Sequence, residues 1–133
     1  LPLRNDGELA ELFRDNTARL FGEDGFQDRE HSGGSTDAGD LSQLMPVLHP
    51  MMTGASGAHH QIDWCISDFN AGYVAPAKML AMMAIDLLCE DAGKARQVIS
   101  NHVPAMTKKE YLDRQQSVFK TKSFDVESTP LVT

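Results

Sequence analysis

The sequence is poor in cysteine, in tryptophan and in positive charge, with two cysteines, one tryptophan and a formal net charge of −7 over 133 residues. Cys65 and Cys89 stand among apolar neighbours and form no CxxC pair, which excludes a disulfide framework or a cysteine-rich zinc module. No secretory n-region or h-region is recognisable, so a reducing cytoplasm is the expected location. A pI near 5.0 repels polyanions, and sequence-independent binding to nucleic acid or anionic lipid is not expected. The one basic cluster, Lys108, Lys109, Arg114, Lys120 and Lys122, is broken by Glu110 and Asp113 and reads as a solvated helix face. No uninterrupted apolar run approaches the roughly 20 residues that cross a bilayer, so no membrane partner is expected.

What is present is mostly helical in pattern. Asp6 is placed to cap a helix from about Asp6 to Phe21, whose Leu9, Leu12, Phe13, Leu20 and Phe21 recur at helical spacing and which Gly22 ends. The segment 22–44 is rich in Gly, Ser, Thr and Asp and reads as a functional loop. Met45 to Met52, apolar and bounded by prolines, reads as a short buried strand. A small-residue turn over Gly54 to Ala58 follows and leads to His59 and His60, just beyond the strand's C-terminal end, the edge where open α/β sheets bind ligands. Ala71 to Glu90 carries the strongest helical pattern, with Val74, Ala77, Leu80, Ala81, Ala84, Leu87 and Leu88 on one face and Lys78, Asp86 and Glu90 as a narrow polar stripe. A further helix from about Asp91 to His102 is closed by Pro104, and Thr107 with Glu110 is a capping-box signature opening a last helix to about Ser117. The tail, 118–133, reads as extended or frayed.

One strand cannot make a sheet. The chain is therefore either all-helical with an odd apolar loop or part of an α/β domain whose other strands lie elsewhere. So few elements cannot bury Met79, Leu80, Met83 and Leu87 together, and self-association of the isolated chain is expected.

Candidate chemistry is confined to two places. The loop Gly34 to Asp40 offers Ser35, Thr36, Asp37 and Asp40 for a pocket wall or for support of a metal site, although it also suits a surface turn with Asp40 as a helix cap. It lacks the Gly-Lys-Ser/Thr of a phosphate-binding loop. His59 and His60, if extended, point to opposite sides, so at most one faces a given metal. Asp63 and Asp68 either orient a histidine or start the next helix. Ser35, Ser56, Cys65 and Cys89 lack a nucleophile context, and Cys89 reads as a packing residue.

In order, Gly33-Gly-Ser-Thr-Asp-Ala-Gly-Asp-Leu-Ser42, Pro46-Val-Leu-His-Pro50, Gly54-Ala-Ser-Gly-Ala-His-His60, Pro76-Ala-Lys-Met-Leu-Ala-Met-Met83 and Leu87-Leu88 resemble the zinc aminoacylase and carboxypeptidase family of metallopeptidases. The nearest branch in pattern is the amidohydrolases similar to aminobenzoyl-glutamate hydrolase. The resemblance implies that residues 1–133 are the C-terminal portion of a three-layer α/β catalytic domain, helix-rich with few strands. It implies His60, with His59 as the one-residue alternative, as ligand to one of two divalent metal ions (Zn or Mn), and Ser35, Asp37 and Asp40 as pocket or supporting residues. The general-base glutamate and the other ligands are implied to lie in an N-terminal half of the same protein, the parent being a homodimeric hydrolase of N-acyl or aminobenzoyl amino acids or small peptides. No catalytic residue is expected in this chain, nor tight metal binding by it alone. A non-catalytic binding or assembly module built on the same fold is the alternative.

Overall fold

The computed structural model describes residues 1–28 and 36–123. The first helix, α1, spans Gly7–Phe21, and its start is set by the Asp6 carboxylate, which accepts the Leu9 N–H at 3.1 Å. Gly22 ends it with φ +83°, a value that costs glycine nothing and a side chain about 1 kcal/mol or more. Both ends lie where the capping residues place them. A 3-10 turn, Glu23–Gly25, follows, and Phe26 returns to meet Phe13 edge-on at 6.3 Å, with the Arg14 guanidinium 4.8 Å above its ring.

The loop expected over 22–44 contains a helix. α2, Asp37–Leu41, is capped by Thr36, whose hydroxyl accepts the Ala38 N–H at 3.4 Å. Asp40 is thus a residue inside the helix and not its cap.

Met45 to Met52 is not a strand. Residues 46–54 have no regular structure, because Pro46 and Pro50 lack the N–H groups a ladder needs and no second strand runs alongside. The segment is held singly: the Asp6 N–H donates to the Val47 carbonyl at 2.8 Å, and the His49 N–H to the Asn5 side-chain oxygen at 3.0 Å. Strand pairing occurs slightly later, where β1 (Ala55–Ser56) runs antiparallel to β2 (Cys65–Ile66). The architecture among the described residues is mixed and helix-rich, with this two-stranded sheet.

A π-helical turn, Asn70–Val74, leads into α3, Ala75–Asn101. Its helical conformation is interrupted from Cys89 to Ala92, and Glu90, Asp91 and Ala92 all have φ between +51° and +57°. The break falls where the apolar pattern of 71–90 gives way to the polar one of 91–102. α1 and α3 run antiparallel, with Asn16 bonded to Asp86 near one end and Glu8 accepting from Lys94, Gln97 and Asn101 near the other.

α4, Lys108–Val118, opens on Thr107, and both reciprocal bonds of its capping box are present. Its basic residues are solvated, with Lys109 paired to Asp113 across one turn.

The core is thin. Among the described residues Phe13, Ala75, Met79 and Val98 are the buried apolar ones, beside four buried polar ones, Asn16, Thr17, Ser42 and Gln43. The polar four are satisfied. Gln43 donates to the carbonyls of Pro2 and Gly39, and Ser42 accepts from the Arg4 N–H. Asp86, expected to face water, instead turns to Asn16 at 2.8 Å and Arg19 at 3.8 Å. Cys89, expected to pack, is exposed. The expectation that the apolar helix exceeds what the fold can cover holds for Leu80, which is 72% exposed while Met79 is 2% exposed. By length and composition Asn70–Asn101 is long and apolar enough to cross a membrane, with Lys78 and Asp86 interrupting its apolar residues.

Left-handed backbone costs an ordinary residue about 1–2 kcal/mol that glycine avoids. Asp91→Gly is therefore expected to stabilise the chain by about 1 kcal/mol, read as a higher urea midpoint at unchanged slope.

Candidate functional site

The two histidines sit on the tip of the hairpin between β1 and β2. The Gln61 N–H donates to the Ala58 carbonyl at 3.1 Å, so Ala58 to Gln61 is a tight turn with His59 and His60 at its centre. This corrects the extended geometry expected for the pair. Both imidazoles are exposed, and His60 has φ +64°. Histidine enters the left-handed region more readily than most side chains, but glycine does so without cost.

Glycines seat the hairpin. A Cβ on Gly57 would lie 2.6 Å from the Asp63 carbonyl oxygen, and one on Gly54 would lie 2.5 Å from the Gly72 nitrogen. The Gly54 carbonyl accepts the N–H groups of Ser67 and Asp68, while the Asp68 carboxylate accepts those of Asn70 and Ala71. Of the two roles open to Asp68, the structure shows the second: it starts the helix. Ile62 and Trp64 are exposed beside the histidines, and Phe69 stacks on Tyr73 at 6.0 Å.

The acidic loop is built separately. Ser35 lies outside the described residues. Asp37 is exposed in the first turn of α2. Asp40 has one carboxylate oxygen 2.7 Å from the Leu1 ammonium, and its other accepts the Tyr111 hydroxyl at 3.3 Å and the Gln115 amide at 3.2 Å. The ammonium, then Tyr111 and Gln115, hold this carboxyl below its ordinary value of 3.8 against partial burial. Asp40 therefore joins the N-terminal segment, α2 and α4. No hydrogen bond or ion pair among the described residues connects it to the histidine turn, and no cluster of three His, Cys, Asp or Glu there could hold a metal ion.

A third place has no signature in the sequence. His102, at the C-terminal cap of α3, faces Asp6 through Nδ1 at 3.3 Å with both side chains largely buried, and its Nε2 is buried without a partner among the described residues. The two are 96 positions apart, and no local pattern signals their meeting.

No protein-family model, curated protein or solved structure matches this chain.

Asp40 is lowered in the folded state, so its contribution to stability is complete above the ordinary carboxylate value and is lost as pH falls through the folded one. Extending the chain before Leu1 turns the ammonium into a peptide N–H. The Asp40 carboxyl should then titrate at higher pH in an NMR titration of its side-chain carbon, with Asp37 unmoved.

Proposed function

We propose that this chain is the C-terminal part of a two-metal amidohydrolase, supplying one imidazole ligand and a stretch of pocket wall to a site completed by other residues of the same protein. The observation that carries the reading is His60: an exposed imidazole at a left-handed turn position that glycine fits better, on a hairpin that Gly54 and Gly57 hold closely. Backbone strain of this kind gathers at functional positions. A two-stranded sheet too small to stand alone accords with a site shared with other residues.

In the intact parent, two divalent ions (Zn or Mn), one of them held by His60, would supply the Lewis acidity for hydrolysing the amide of an N-acyl or aminobenzoyl amino acid or a small peptide. This chain's part is limited to His60, with His59 one residue away as the alternative ligand, and to the wall formed by Asp37 and its neighbours. Asp40, which accepts from Tyr111 and Gln115, supports the same wall.

A second reading, a non-catalytic assembly module, is favoured by one observation, the uncovered apolar face of α3.

The test pairs two proteins. The 133-residue chain alone should bind no stoichiometric Zn and hydrolyse no N-acyl amino acid; tight metal with turnover would reveal a self-contained enzyme. In the longer protein encoded at the source, His60→Ala should remove about one equivalent of metal and nearly all turnover, with His59→Ala much milder. His60→Gly should leave the melting temperature unchanged or higher while abolishing activity, which separates the ligand from the fold. Full metal content and activity in both histidine variants would sink the proposal.

A further inference from the structure

The change of pattern near Glu90 sets where α3 breaks, but the residues at the break are poorly suited to it. Glu90, Asp91 and Ala92 have φ of 51°, 57° and 57°, a left-handed region that glycine enters freely and other side chains only against a steric cost. Gly93 stands one residue too late and has no positive φ. No proline lies between Pro76 and Pro104, and glutamate and alanine favour the right-handed helix. Nothing in these residues bars a continuous α3.

A continuous helix would still fit α1. Met83, Asp86, Glu90, Lys94, Gln97 and Asn101 follow one another at steps of three and four, so an unbroken helix gathers them within an arc of about 80°. Glu8 and Asn16 are eight residues apart on α1, as Asp86 and Lys94 are on α3, so the Asn16–Asp86 and Glu8–Lys94 pairs survive together. Two other contacts do not. With Lys94 level with Glu8, Asn101 would stand about 10 Å further along α3, and His102 about 12 Å further, while Asp6 lies only about 3 Å beyond Glu8. In the structure Asn101 donates to Glu8 at 2.6 Å and His102 faces Asp6 at 3.3 Å. These two contacts belong to the bent form.

We propose that Asn101 and His102 latch a hinge at residues 89–92: closed on Glu8 and Asp6 they hold the left-handed turn, and released they let α3 run as one right-handed helix from Ala75 to Asn101. Strained backbone persists only where its surroundings over-determine it, and the latch supplies the contacts that a continuous helix lacks. Opening would also free the start of α1, with the segment that Asp6 holds through Val47, from the end of α3. The inference does not depend on the metal reading.

In NMR spectra of the full chain, Glu90, Asp91 and Ala92 should each show the strong contact between their own HN and Hα that a positive φ brings. Asn101→Ala combined with His102→Ala should lose these contacts and give an unbroken run of HN–HN contacts through Cys89, where the extended backbone now interrupts it. Ser100→Ala, whose hydroxyl bonds only within α3, should leave the break as it is. Should the double variant fail to fold, Asp91→Ala decides with the latch intact: the better helix former should bring in a set of signals for 89–92 with the right-handed pattern. Left-handed contacts kept in the folded double variant, right-handed residues 90–92 already in the unaltered chain, a released segment that turns to coil, or Asp91→Ala with the left-handed set alone would each overturn the proposal.

Discussion

Asp6 is the point on which the rest of the structure depends. One carboxylate oxygen starts α1 by accepting the Leu9 N–H, the other faces His102 at the end of α3, and its backbone N–H holds the proline-bounded segment through Val47. Three stretches remote in sequence thereby meet at one residue. The imidazole lies at the C-terminal end of α3. The second contact between the helices, Asn16 with Asp86, fixes the other end of the pair. Antiparallel register is thus set by polar groups at both ends, and the apolar layer between them is only a few residues deep.

That balance explains several features together. With Phe13, Ala75, Met79 and Val98 as the buried apolar residues, directional bonds at the helix ends carry much of the ordering. The interruption at Cys89 to Ala92 divides the apolar half of α3 from the polar half that Glu8 gathers.

The candidate sites differ in what positions them. The histidine turn is shaped by close backbone approaches at Gly54 and Gly57, so its form is local and owes little to the core. Asp40 is held by Tyr111 and Gln115 of α4 and by the ammonium of Leu1. The histidines carry no such commitment among the described residues, which is why they remain the candidates for a ligand role.

Where a local interaction decides the outcome, the sequence is sufficient. Asp6 and Gly22 bound α1, Thr107 and Glu110 open α4, and the change of pattern near Glu90 marks the break in α3; each is an effect of capping, turn or periodicity within a few residues. Periodicity alone cannot say which side of α3 is covered, because both sides are apolar, and it places Asp86 toward water when a buried Asn16 claims it. The apolar run at 45–52 reads as a strand only if burial is taken for granted; a strand exists only with a neighbour, and its prolines and surroundings supply none. The meeting of Asp6 with His102, and of Asp40 with Tyr111 and Gln115, is decided by the tertiary structure alone. Such pairs form between side chains dozens of positions apart, whose proximity depends on how whole helices pack and on nothing either residue carries locally.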